Sequence, residues 1–327
     1  MHPIRFALLL TWVLAGAGPA ALAQPAKPKP VDRKKLLANP VPGYTLKKIE
    51  GFDVLVQDQV LRHNDDAEYK RKPLDVLELE LGTVVRVLPK KVEQALTSIV
   101  IWAEWDDETD PDYGKAVAKY YGVSGGVSGW SLANNKHPGK ANAVEIVSVK
   151  SLTEEHQPAG KAERCVLLHE FAHAIHYQVI GNRNDAVRSA YTVAMDRKLY
   201  SESKDVDGRV VKKPYASTND HEYFAELTCC YLDKLHYYPF SRDDLKTHDP
   251  AGYKLMEAVW GKADKLDAQI KAENAKAADA RVQKARNLLA EKKKDEAKKV
   301  LERVVDLFPK TPGAGEAKKM LEKLGNG

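Results

Sequence analysis

Cysteine is scarce in this sequence, with Cys165, Cys229 and Cys230 the only three among 327 residues. So low and odd a count excludes a disulfide-built scaffold, and a packed apolar core has to hold the chain. One bridge remains open. Long apolar runs are missing beyond the N-terminal segment, which excludes a membrane-spanning bundle. Neither charge sign dominates, with 51 lysines and arginines against 46 acidic residues. A polyanion-binding surface needs a concentrated cationic excess, so nucleic acid is not an expected partner. The excess that exists falls in residues 262–327, where 17 basic and 11 acidic residues interleave as they do on solvated helices. A phosphate-cradling loop is missing too. The glycine-rich GVSGGVSGW at 122–130 lacks the lysine and following helix of such a loop, and reads as a mobile connection.

What is present is globular composition, 43% hydrophobic and 30% charged. Residues 1–23 have the form of a secretory signal, with a basic end, an apolar run at 6–14 and Ala21-Leu22-Ala23 as the cleavage site. The apolar run is too short to span a bilayer, so export without stable membrane insertion is expected, leaving the protein extracytoplasmic. A proline- and lysine-rich linker at 24–42 reads as extended. Alternation around Gly51 predicts a hairpin over 43–60, and helical spacing between Pro73 and Pro89 predicts an amphipathic helix. Residues 96–105 and 143–149 read as strands by their β-branched and aromatic content, and 106–142 as irregular. Further helices are expected over 162–180, closed by Gly181, and over 185–200. Asp207-Gly208 marks a hairpin turn, and Asn219 caps another helix with Glu222 placed for a capping box. The fold expected from this order is α+β over 43–261, followed by a small helical tail over 262–327 resembling a tetratricopeptide hairpin with a third helix after Pro312. One such hairpin cannot form an array, so the tail is expected to dock on the main domain or on a protein partner.

VLLHEFAH, residues 166–173, carries the chemistry. Side chains four apart on a helix lie one turn above each other, so His169 and His173 can address one ion, with Glu170 beside it as a base for water. A catalytic zinc takes three protein ligands and keeps one position open. The third ligand is not His176, two turns from His169 and expected to be half-buried and satisfied. No glutamate lies between His173 and Glu202, and Glu202 falls in a flexible stretch. Glu222 and Glu226, one turn apart on the capped helix, remain. His221 reads as exposed, and His137, His156, His236 and His248 as surface or packing residues. Cys165 and Cys229 both project toward the interface of the two motif helices, where a bridge could form in an oxidising compartment.

VLLHEFAH followed by PYASTNDHEYFAE resembles the catalytic domain of the anthrax toxin lethal factor-like zinc metallopeptidases. The shared features are HEFxH, a tyrosine seven residues before a glutamate, and that glutamate opening E-[FY]-F-A-E. The likeness runs from 164 to 231, is more diffuse upstream at VLP, IWAEW and AVEI, and does not reach the tail. It implies a zincin-like fold with a small mixed sheet, His169, His173 and Glu222 as zinc ligands, Glu170 as general base and Tyr215 supporting the oxyanion. It also implies that the strand at 143–149 is the edge strand receiving an extended peptide, with Glu145 a candidate substrate contact. Glu226 is then expected to orient a ligand histidine. The expected function is an exported zinc endopeptidase acting on peptide or protein. A zinc-retaining scaffold recruited through its tail, and a metal-dependent hydrolase of a non-peptide amide, are the alternatives.

Overall fold

The computed structural model describes residues 32–325 except 40, 107, 109–113, 115, 123–133, 135 and 158–163. The signal segment, residues 24–31 and 40 of the linker, nearly all of the glycine-rich run and residues 162–163 therefore lie outside the described residues. Helix α1 (Arg33–Ala38) replaces the extended linker expected there, capped by Asp32. It forms because Leu36 has a surface to bury against, a contact that linker composition does not reveal.

Strands β1 (Tyr44–Ile49) and β2 (Phe52–Gln57) make the expected hairpin, turned at Glu50 and Gly51 with φ of 48° and 90°. A two-residue turn of this hand matches strand twist, and glycine takes the second position without strain. Helices α2 (Asp58–His63) and α3 (Pro73–Val87) follow, α3 opening on Pro73 and stopping where Leu88 is held extended before Pro89. The strand expected at 96–105 is shorter. Its first part is helix α4 (Glu93–Thr97), and β3 occupies Val100–Ala103. Within the stretch read as irregular lies β4 (Ala118–Tyr120), followed by β5 (Val144–Ile146) and then helix α5 (Val149–Glu155).

The sheet is mixed, five-stranded, in the order β1-β2-β3-β5-β4. The two inner pairings are parallel and the two outer ones antiparallel. The expected edge strand is therefore an inner one, and β4 is the edge. Alternation sorts the faces. Val54, Ile101 and Val144 point into the main core with α3 and the histidine helix, where Phe52 meets Phe171 with ring centroids 5.0 Å apart. Leu55, Trp102 and Glu145 share the other face, which Leu36 of α1 and Ala143 help to cover.

Glu145 is fully buried there and is no substrate contact. It accepts hydrogen bonds from Tyr121, Lys136 and Lys140, and Lys140 also bonds Glu104. The face that alternation turns away from the core is itself covered by the segment returning from residue 136, so the charge is enclosed and has to be paired.

The remaining elements are α6 (Val166–Ile175), α7 (Asp185–Asp196), β6 (Glu202–Lys204), β7 (Val210–Lys212), α8 (Asp220–Leu232), α9 (Arg242–His248) and α10 (Pro250–Trp260). Helix α6 is shorter than expected and widens into a π turn over His176–Gly181, ending at Gly181 with φ 87°. None of the described helices is long and apolar enough to cross a membrane.

The tail forms α11 (Ala263–Ala290), α12 (Lys294–Leu307) and α13 (Pro312–Gly325) around its own small core of Val282, Leu301, Val304 and Phe308. It docks on the main domain. Arg281 bonds Glu50 at 2.6 Å and Glu78 at 2.8 Å, Arg303 bonds Asp75 and Glu78, and Arg71 reaches Asp306. Phe308 lies under the guanidinium groups of Arg86 and Arg281, which adds cation–π attraction to those pairs.

Removing one partner of a buried ion network strands the others. Glu145→Ala is expected to cost about 3–5 kcal/mol in folding stability, read by chemical denaturation.

Candidate metal centre

Helices α6 and α8 bring the site together. Helix α6 is buried along most of its length, so His169 and His173 are presented from a fixed surface. Helix α8 starts at Asn219, whose side chain accepts the amides of His221 and Glu222. The expected capping box is half made, because the Glu222 carboxylate turns to the imidazoles instead of back to the cap.

Glu222 Oε2 stands 3.0 Å from His169 Nε2 and 3.1 Å from His173 Nε2, and the two Nε2 atoms are 3.0 Å apart. These three residues are the one group among those described that could hold a metal ion. Glu226, fully buried, takes His169 Nδ1–H at 2.8 Å. It is held in turn by Arg164 Nη1 at 3.0 Å and Tyr237 Oη at 2.6 Å. Tyr237 Oη also accepts the amide of Ala216, which ties Glu226 to the turn carrying Tyr215. The Tyr215 ring lies 5.7 Å from that of His169, half exposed at the cleft wall.

The donor set fits a cation. An ionised carboxylate only accepts, so Glu226 fixes the hydrogen of His169 on Nδ1 and leaves a lone pair on Nε2. That lone pair faces Glu222 Oε2, another pure acceptor, and His173 Nε2. Three electron-rich atoms at such spacing need a positive charge among them. Ligands around a tetrahedral ion with bonds of about 2.0–2.1 Å stand about 3.3–3.4 Å apart, close to the spacing found.

The pKa values carry the same signature. Burial alone would depress His169, but its bonds to Cys229, Glu222 and Glu226 lift it well above the ordinary imidazole value. Burial would raise Glu222, yet the bonds from His169 and His173 bring it down to about 2. Burial would likewise raise Glu226, and Arg164 and His169 together hold it far below the usual range. Glu170 behaves differently. Burial raises it, with His169 and His173 only partly countering. Tyr215 is pushed up to about 12, chiefly by burial and then by Glu222.

The site opens on a cleft of about 1080 Å³, with β4 on one wall and the β6–β7 turn, Asp205 to Arg209, on another. Chemically, this is a set of three donors able to hold a cation, with a basic carboxylate and a phenol beside it.

Other expectations are corrected. All three cysteines are free thiols, because Cys165 turns to Glu80 while Cys229 abuts His169. His176 is fully buried with no hydrogen-bond partner for either ring nitrogen among the described residues, not half-buried and satisfied, and burial and His221 push it down to about 4, so it stays neutral. His221 is not freely exposed, since its ring stacks on Tyr177 at 5.2 Å. Sequence reasoning missed Arg164 and Tyr237. A buried Glu226 demands charge compensation, which could have pointed to Arg164, but nothing in the sequence marked Tyr237. Compared with known proteins, the chain matches no family model, no curated protein and no solved structure.

Glu226→Gln is expected to weaken affinity for an added divalent ion about 10–100-fold, measured by chelator competition. The raised His169 pKa means the metal-free chain holds a proton that an ion has to displace. Affinity for a divalent ion is therefore expected to rise with pH, with proton release on binding followed by calorimetry in buffers of different ionisation enthalpy.

Proposed function

We propose that the protein is an exported zinc-dependent endopeptidase with a zincin-like catalytic domain. The observation that carries this reading is the convergence of His169, His173 and Glu222 at a cleft that also holds Glu170 and Tyr215. Two nitrogens and one oxygen with a further position available suit zinc. When bound, zinc supplies Lewis acidity toward water and toward a carbonyl oxygen.

The chain's own residues do the rest. Glu170, made more basic by burial, takes the proton of the attacking water and returns it to the departing amine. Tyr215, still protonated at neutral pH, donates its O–H to the carbonyl oxygen as that atom gains charge. Peptide binding follows from the sheet. Val117 and Tyr121 direct their backbone groups at the β5 side, so by alternation Ala118 and Tyr120 direct theirs at the cleft. An extended substrate adds alongside Ala118 as a further strand. The substrate-pairing strand is thus β4, in place of the strand at 143–149.

A zinc-retaining scaffold is the weaker reading. It has no use for Glu170 or Tyr215, and Arg281 and Arg303 of the tail are already engaged by the main domain.

Digestion of a peptide library tests the proposal. Glu170→Gln is expected to keep its zinc and lose about 10²–10⁴ in kcat, and Tyr215→Phe to lose about 10². Cleavage by Glu170→Gln at the wild-type rate overturns the mechanism.

A further inference from the structure

Helix α6 does not cap itself. Cys165 stands at its N-cap position and makes no side-chain cap bond. The first-turn amides are met from two other elements. Asp233 Oδ2, just past α8, accepts the Cys165 N–H at 3.0 Å, and Glu80 Oε2, from the middle of α3, accepts the Leu167 N–H at 2.8 Å. Glu80 is 1% exposed and forms no ion pair with lysine or arginine among the described residues. Its remaining contacts are the His156 ring, with Nε2 2.7 Å from Oε1, and the Cys165 thiol, with Sγ 3.3 Å from Oε2. A carboxylate buried in this way is compensated by the N-terminal end of the helix it caps.

The geometry makes α3 a post between two elements. Residues two apart on a helix point to nearly opposite sides. Glu78 faces the tail, where Arg281 and Arg303 grip it at 2.8 and 2.7 Å, and Glu80 faces α6. His169 follows Leu167 by two residues, so a shift of the first turn moves its imidazole relative to Glu222. A metal site tolerates displacements of only about 0.5 Å before its ligands lose their reach.

We propose that Glu80 is a positioning residue of the metal centre, fixing the first turn of α6 through the Leu167 N–H and the His156 ring, and with it the approach of His169 and His173 to Glu222. The proposal rests on reading the triad as a metal site. Glu80 touches neither the ion nor the substrate. It acts through hydrogen bonds that require an acceptor at a set reach.

Zinc alone, titrated into the full chain against a chelating dye, tests this, with the absorption spectrum of the cobalt(II)-loaded chain as a signature of ligand geometry. Glu80→Gln keeps the reach, its carbonyl accepting from Leu167 and its amide donating to the other His156 tautomer, so zinc affinity is expected to stay within about threefold of wild type. Glu80→Asp keeps the charge but withdraws the acceptor by one methylene, so affinity is expected to fall about 10–100-fold with an altered cobalt spectrum. Leu36→Ala, on the far face of the sheet, controls for general loss of stability and is expected to bind zinc as wild type does. Wild-type affinity in Glu80→Asp overturns the proposal, as does an equal loss in Leu36→Ala. Absence of zinc binding in the wild type defeats the metal reading itself and the proposal with it, whereas full-strength binding in Glu80→Asp defeats the proposal alone.

Discussion

Charge compensation at the interface of α6 and α8 is the constraint on which the rest of this structure depends. Two carboxylates, Glu222 and Glu226, are brought against His169, one on each ring nitrogen. Such a meeting in a buried place is costly unless positive charge is supplied. Arg164 supplies it on the Glu226 side. On the Glu222 side a proton or a divalent ion has to supply it, and the crowding of His173 onto the same point favours the ion. The basic Glu170 and the protonated Tyr215 follow from the same partly enclosed setting.

The sheet and the helices around it serve that interface. Helix α3 packs on the inner face of the sheet, meets the first turn of α6 through Glu80 and receives the tail through Asp75 and Glu78. The tail encloses its own small core and spends its inward arginines on the main domain. On the opposite face, the pairs among Glu104, Glu145, Lys136 and Lys140 hold the segment that returns to β5 beside the edge strand. Strand β4, last in the sheet order, runs along the cleft.

Much of this was legible in the sequence wherever the information is local. The hairpin at Gly51, the helix between two prolines, the Asn219 cap and the three tail helices rest on turn chemistry, capping and short-range periodicity, and the structure has them. The pairing of His169 with His173 is also local, since a helix repeats every 3.6 residues. Glu145 shows where that reasoning fails. Alternation placed it on the face away from the core, and only a distant segment carrying Lys136 and Lys140 covers that face. Strand order failed likewise, because three-residue β4 is too short to announce itself and its place at the edge depends on pairing with β5.

By itself the sequence determined an α+β chain with a helical tail, and the residue types able to form a metal site: two histidines one turn apart, a glutamate beside them and two candidate carboxylates downstream. Tertiary structure alone decided which carboxylate meets the imidazoles, that Arg164 and Tyr237 hold the other, that the cysteines stay apart, and which strand lines the cleft. The reason is physical. Helical periodicity and capping are settled within a few residues, whereas compensation of buried charge is settled by whatever distant groups the packed core brings within about 3 Å.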